Sequence, residues 1–322
     1  MSHTADMKLR PIDPQSDFPR MAELYNTFEP EPLTAEELGR WVQQASPARI
    51  HQRIAAIDEQ GQLVGFNNSG RDPWMPPGRF WIEVVVDPFW RKQGIGELLY
   101  THALQFVQEQ RATTLEAEVR DHMPDSLHFA QQRGFKIDRH HFESTLDLAM
   151  FDEARFAGTI EAVEASGIRF FTLANLGDTM EAQQRLYEIN RRYAGDIPGR
   201  GESFTPFEQF HKEVFEAPWY RADCQIVAAD GDRWIGMSAT GYFAETKHMY
   251  NMMTGVEPAY RGRKIALALK LLSIRRARAY GAAYMRTNND SQNAPILAVN
   301  RKLGYRAEPG KYLLLHTLQD EE

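Results

Sequence analysis

Between residues 95 and 107, Ile95, Leu98, Leu99, Ala103, Phe106 and Val107 recur at the three-and-four spacing of a helix with one buried face, and His102 falls in the same stripe. Just before it, residues 80–86 form a run of β-branched and aromatic side chains that reads as a strand. The rest of the first half alternates these two patterns. A short strand is predicted at 9–12 and a helix at about 17–27. A second helix starts after Thr34, where Glu37, three residues on, completes a capping box. Residues 51–58 and 63–69 flank the polar turn Glu59-Gln60-Gly61-Gln62 and read as a hairpin. A strand at 113–119, a helix at 124–132 stopped by Gly134, and strands over 135–148 follow.

The pattern then runs a second time. Val86-Asp87-Pro88-Phe89-Trp90-Arg91-Lys92-Gln93-Gly94-Ile95-Gly96 returns as Val256-Glu257-Pro258-Ala259-Tyr260-Arg261-Gly262-Arg263-Lys264-Ile265-Ala266, an offset of 170 residues. The same offset carries Arg133-Gly134-Phe135 onto Leu303-Gly304-Tyr305. A period of domain size means two copies of one domain, not a solenoid. We expect copy one over 1–150, a partly helical linker over 151–166 and copy two over 167–322. Copy two repeats the order: a strand at 168–173, a helix at 178–193, a loop at 194–204, and a helix opened by Thr205 with the capping logic of Thr34. A hairpin at 225–241, a strand at 249–256 and a helix through Ile265, Ala268, Leu269 and Leu272 follow. Strands alternating with helices, and an early hairpin in each copy, predict an α/β fold with a mixed sheet flanked by helices. The ligand belongs where the strand before the basic turn hands over to its helix.

Composition narrows this picture. At 322 residues, 43% of them apolar and 25% charged, the chain suits two ordinary globular domains. No apolar run approaches the roughly 20 residues that span a bilayer. The first residues lack a basic segment followed by an apolar one, so no secretory signal and a cytoplasmic location are expected. A single cysteine, Cys224, leaves no internal disulfide or cysteine-based metal cluster, and no metal is expected. The net charge of −7 argues against general nucleic-acid binding and, through long-range steering, favours a cationic acceptor. The acidic end at 320–322 reads as a solvated tail.

The repeated basic turn opens a helix, whose unpaired N–H groups and positive dipole end suit a phosphate. A small residue there lets a pyrophosphate approach the backbone. The turn has neither the Gly-x-x-x-x-Gly-Lys-Ser/Thr of nucleotide hydrolases nor the Gly-x-Gly-x-x-Gly of dinucleotide sites. With Val84 to Val86 before it and Arg133-Gly134-Phe135 after it, Arg91 to Gly96 resembles the GNAT superfamily of acyl-CoA-dependent N-acyltransferases, and the chain as a whole resembles tandem GNAT proteins of the mycothiol-synthase-like type. The resemblance implies two tandem GNAT domains, acetyl-CoA as acyl donor, a small-molecule amine as acceptor, no role for nucleic acid or membrane, and a monomer or homodimer. It implies that Arg91, Lys92, Gln93, Gly94, Ile95, Gly96 and Glu97 hold the pyrophosphate, and that the backbone of Val84, Val85 and Val86 pairs with the pantetheine and the acyl carbonyl. In copy two the matching donor-binding residues are Thr254, Val256, Arg261, Gly262, Arg263, Lys264, Ile265 and Ala266, with Asn293 added.

Two departures bear on function. Lys264 stands where the motif has its first glycine. If that position needs a positive φ, lysine costs about 1 kcal/mol; if it is an ordinary first-turn position, its ammonium can meet a phosphate. Both readings stand at this point. Many GNAT enzymes carry a tyrosine acid four residues before the glycine of the Gly-Phe corner, where this chain has Ala130 and Asn300. Transfer to an amine also needs a base. Glu83, on the strand before the turn, is the candidate. Copy two places Asn251 against Trp81 and Met253 against Glu83, so it lacks that carboxylate. The alternative reading is a CoA-binding sensor or scaffold with one or both domains inactive. His140-His141 and His102 read as structural, Cys224 as a small buried residue, and Trp74, Tyr193, Phe204 and Trp219 as candidate liners of an acceptor pocket beside the loops at 29–34 and 194–204.

Overall fold

The computed structural model describes residues 7–29, 31–197 and 204–318. In chain order the elements are β1 Lys8–Pro11, α1 Pro14–Tyr25, α2 Ala35–Gln44, β2 Ile50–Ile57, β3 Leu63–Arg71, β4 Arg79–Val86, α3 Ile95–Glu109, β5 Thr114–Arg120, α4 Pro124–Gln131 and β6 Lys136–Asp147. Then come α5 Thr159–Ala165, β7 Ile168–Thr172, α6 Met180–Ala194, α7 Phe207–Phe210, β8 Gln225–Asp230, β9 Arg233–Phe243, β10 His248–Val256, α8 Ile265–Ala279, β11 Tyr284–Asp290, α9 Ala294–Leu303, β12 Arg306–Ala307 and β13 Lys311–Thr317.

The chain forms two compact units, one of residues 1–139 with 311–322 and one of residues 140–310. These do not follow the repeat division at 150 and 167. The reason is an exchange of last strands. The final strand of the second repeat, β13, pairs antiparallel with β5, while β6, the final strand of the first repeat, pairs antiparallel with β11. The linker is partly helical, as its Ala and Glu content predicts, and lies in the second unit.

In unit 1 the strand order is β1-β2-β3-β4-β5-β13, antiparallel except for β4 and β5. Successive side chains of a strand face opposite ways. Val85 of β4 joins Phe18, Met21, Leu24 and Tyr25 of α1, together with Ala55 and Phe66, in one core. Phe80 and Ile82 face the other way, into a second core with Tyr100, Ala103 and Val107 of α3 and Ala130 beside Leu115, Phe135 and Leu314. The capping box at Thr34 and Glu37 forms in both directions.

In unit 2 the order is β7-β8-β9-β10-β11-β6, with β12 also on β6, and only β10 and β11 are parallel. Helix α8 buries Ile265, Leu267, Ala268, Leu269, Leu271 and Ile274 against this sheet. One helix start differs from expectation. Thr205 does not cap; α7 begins at Phe207 with Pro206 at the cap position, and the Thr205 carbonyl instead accepts the Tyr187 hydroxyl at 2.9 Å.

Candidate active site

Strand β4 pairs with β5 only from Arg79 to Trp81, so from Ile82 onward its β5-facing edge is open. The Asp87 amide bonds the Val64 carbonyl at 2.9 Å, which sets the phase of the antiparallel β3–β4 ladder. By that phase Glu83 and Val85 spend their backbone groups on β3, while those of Val84 and Val86 point into the opening. Val85 was expected to pair with the pantetheine. Its backbone faces β3 and its side chain lies in the α1 core, so it does not line the opening.

The turn that follows carries the charge. Arg91 donates Nε to the Val86 carbonyl at 3.1 Å, and Arg261 does the same to Val256 at 3.0 Å, so in both units this arginine closes the turn onto its own strand. Lys92 is exposed and lies 3.1 Å from Asp125. Gln93 donates to the Phe89 carbonyl. Glu97 pairs with Arg133, whose guanidinium stacks 3.4 Å above the Phe129 ring. What Ile95, Gly96 and Glu97 offer a phosphate is therefore backbone N–H at the start of a 15-residue helix, which no side chain caps. At Gly96 an added Cβ would sit 3.3 Å from the Phe129 ring, a tight contact that glycine avoids.

The two readings of Lys264 resolve in favour of positive φ. Lys264 is left-handed, with φ 61, where Gly94 has φ 88. The same turn has a second left-handed position two residues earlier, held by Lys92 at φ 61 in unit 1 and by Gly262 at φ 80 in unit 2. In unit 2, Arg263 lies over the Tyr260 ring at 5.3 Å, Val256 is buried, and Ile265 anchors α8 in the core.

Glu83 lies on the α1 face of the sheet, beside the opening. Its Oε2 accepts the Tyr25 hydroxyl at 2.5 Å and the Asn68 amide at 3.3 Å. Burial pushes the Glu83 carboxyl above its ordinary range; the bonds from Tyr25 and Asn68 pull against this, and nearby Glu118 and Glu29 add to it. Burial beside Glu83 also holds the Tyr25 hydroxyl protonated, well above its ordinary value. Neither Tyr25 nor Asn68 was anticipated. Asn68 sits directly across from Glu83 in the β3–β4 register, which the hairpin pattern could have exposed; Tyr25 comes from a helix 58 residues away, with no sequence signal.

In unit 2, β10 pairs with β11 only from His248 to Tyr250 and then bulges between Asn251 and Met253. The bulge corrects the expected alignment. By register, Tyr250 rather than Asn251 matches Trp81, Asn251 matches Ile82, and Met253 still matches Glu83. Around the bulge is a buried polar network whose donors replace apolar or aromatic residues of unit 1. Lys270, 1% exposed, donates to Asn251 Oδ1 at 2.7 Å, and Thr254 donates to the same oxygen at 2.9 Å. Thr287 donates to the Asn251 carbonyl, and Asn300 donates to Asn289. At the same offset Lys270, Thr254, Thr287 and Asn300 fall on Tyr100, Val84, Ala117 and Ala130 of unit 1. Burial pulls the Lys270 ammonium down to about 7. Asn293 is the cap residue of α9, and its side chain makes no capping bond.

The remaining expectations separate. Cys224 is fully buried and its thiol is pushed up to about 12, which makes it inert. His141 meets Asp290 at 3.2 Å, and no group of three or more metal-ligating side chains occurs among the described residues. Tyr193 is buried against Gly255 and Trp219 packs on Gly241, so both are packing residues; Phe204 packs at a tilt against Tyr187 and Phe210, and Trp74 is exposed. Most of the loop at 194–204, Pro30 of the loop at 29–34 and the acidic tail at 320–322 lie outside the described residues. No described helix is long and apolar enough to cross a membrane.

The family model "Acetyltransferase (GNAT) family" matches residues 18–135 and again 184–305. The chain is 24% identical over 227 residues to a mycothiol acetyltransferase of Corynebacterium glutamicum (strain R), covering 69% of this chain and 70% of that one. A GCN5-related N-acetyltransferase from Sphaerobacter thermophilus superposes with a TM-score of 0.65 at 17% identity, over 97% of this chain and 96% of that one. A tandem GNAT protein from the clavulanic acid biosynthesis pathway does so with a TM-score of 0.62 at 19% identity, over 98% and 100%. With two family matches on two open parallel strand pairs, each followed by a basic turn and a helix, the chain belongs to the acetyltransferase (GNAT) family and carries its domain twice.

Proposed function

We propose that unit 1 transfers an acetyl group from acetyl-CoA to the amine of a small-molecule acceptor, with Glu83 taking the amine's proton. Acyl transfer from CoA is the family's reaction; the donor's acyl group, the acceptor and the residue roles are our reading. The observation that carries it is a partly buried carboxylate on the opened strand, beside the amides of Val84 and Val86 that point into the opening.

The donor fits this end of the unit. Uncapped amides at Ile95, Gly96 and Glu97, with Lys92 and Gly94 in the turn, suit a diphosphate. The Val84 backbone and the Val86 N–H suit an extended amide-bearing arm, the Val86 carbonyl being held by Arg91. An activated thioester carbonyl is what the bound donor supplies. An N–H of the opening that bonds its oxygen stabilises the charge developing there. An amine attacks only when neutral, so Glu83, ionised, accepts its proton, and Tyr25 and Asn68 hold the carboxylate in place. Glu83→Gln should lower kcat by about 10²–10⁴ and remove the acid limb of the pH profile. An unchanged rate and profile would refute the assignment.

For unit 2 a second reading is favoured by Met253 at the base position: a donor-binding or structural partner without turnover. Its donor site would comprise Thr254 and Val256 at the opening, Arg261, Gly262, Arg263, Lys264, Ile265 and Ala266 in the turn and helix start, and Asn293 at the start of α9. Calorimetric titration with acetyl-CoA counts the sites: two support donor binding in both units, one supports division of labour, and none refutes the donor assignment.

A further inference from the structure

Arg53, Asn68 and Glu83 form one row across three strands, paired Arg53 to Asn68 in the β2–β3 register and Asn68 to Glu83 in the β3–β4 register. Arg53 donates Nε to Asn68 Oδ1 at 3.2 Å, and Asn68 donates its amide to Glu83. The amide thus uses its acceptor on the cation and its donor on the anion. Arg53 is partly buried on the face that carries Glu83, and among the described residues no carboxylate lies within ion-pair distance of it. Of the neighbouring arginines, Arg49 pairs with Asp72, Arg79 with Glu116 and Arg120 with Glu29, while Arg71 donates to the Met75 carbonyl. A guanidinium withdrawn from water and left without a counter-ion is costly, and its two terminal nitrogens present a planar fork that matches a carboxylate.

Strands about 4.8 Å apart put the backbones of Arg53 and Glu83 roughly 10 Å apart. With the Asn68 amide joining them, that spacing suits a molecule whose cationic and anionic groups are a few bonds apart and which reaches both charged ends across the amide. We propose that the acceptor is an amino acid or similar amine bearing a carboxylate, which Arg53 binds while Glu83 takes the proton of its ammonium. The inference rests on Glu83 as the base, and it narrows the acceptor from any amine to a zwitterionic one. The proton balance is simple. The ammonium loses one proton to Glu83 and a second on forming the amide, the departing thiolate gains one, and the carboxylate stays ionised throughout.

The test uses the full chain, acetyl-CoA and matched pairs of acceptors: phenylalanine with phenethylamine, methionine with 3-(methylthio)propylamine, and glutamate with 4-aminobutyrate as a pair differing only at the α-carboxylate. For the pair or pairs that react, kcat/KM should be at least ten-fold higher for the member with the α-carboxylate. Arg53→Gln should collapse that ratio toward one, mainly through KM, and Arg53→Lys, which keeps the charge and loses the fork, should give an intermediate ratio. Equal use of both members by the unaltered protein, or a ratio that survives Arg53→Gln, overturns the proposal and leaves the acetyltransfer reading standing. If no acceptor amine of either kind reacts, the acetyltransfer reading itself fails and takes the proposal with it. Should Arg53→Gln not fold, the Arg53→Lys ratio decides.

Discussion

Lys92 and Lys264 share one backbone conformation, φ 61 in each, at opposite members of the same pair of left-handed positions in two equivalent turns. Each turn has glycine at the position where the other has lysine, Gly94 in unit 1 and Gly262 in unit 2. The lysine that breaks the motif in the second copy is therefore no simple loss, because the first copy carries the same strain two residues earlier. Holding a side chain there costs about 1–2 kcal/mol, less what glycine would add to the freedom of the unfolded chain. Lys92→Gly and Lys264→Gly should each raise stability by ~0.5–1 kcal/mol in denaturant unfolding. Gly94→Ala should lower it by a similar amount.

The bond from Tyr25 to Glu83 gives a prediction with a definite sign. It stabilises the ionised carboxylate and so opposes the upward push of burial. In Tyr25→Phe the Glu83 pKa should rise further. Since the ionised form is the proposed base, the acid limb of the kcat/KM profile should move to higher pH. A limb that stays put, or moves to lower pH, would separate Tyr25 from the base.

Lys270 predicts a stability profile. Burial lowers its pKa from 10.5 to about 7, so between these values the unfolded chain holds more protons than the folded one. Stability should therefore rise with pH across that window, and the penalty is complete below it. Lys270→Met should flatten the rise and stabilise the protein at pH 6 more than at pH 10, measured as denaturant midpoints. The Asn251 oxygen it abandons still accepts from Thr254.

Cutting the chain should act on the other repeat. Residues 311–317 are a strand of unit 1, with Leu314 fully buried beside Leu115 and Phe135. A fragment ending at 150 loses that strand and should show exposed apolar surface by dye binding and poor resistance to protease. Adding the peptide 311–318 should restore protection. A fragment 1–150 that folds alone would show β13 to be dispensable.

Local periodicity made much of this fold legible. The stripe from Ile95 to Val107 does become α3, and the capping pair Thr34 and Glu37 closes as written. What escaped was set by distant partners. Nothing in residues 311–317 reveals that their hydrogen-bonding partner is β5, because strand pairing is non-local. The extra residue at Met252 is invisible to a constant offset of 170, yet it moves Tyr250 into the place of Trp81. Of the candidate site, the turn and Glu83 could be read from the repeat. Asn68, directly across from Glu83, was within reach of the hairpin pattern; Tyr25 from α1 and Arg53 one strand further on were not. Lys270 broke the rule that charged residues mark the exposed face of a helix.

The strand exchange also imposes an order in time. Synthesis runs from the first residue to the last, and unit 2 is one unbroken stretch, 140–310, that can close as soon as it leaves the ribosome. Unit 1 begins earlier but cannot complete its sheet until residues 311–317 have been made. The half that is translated first is the half that is finished last. On ribosome-bound chains of increasing length, protease protection should reach 140–310 before it reaches 7–139, so a chain that stops short carries a formed second unit and no finished Glu83 site.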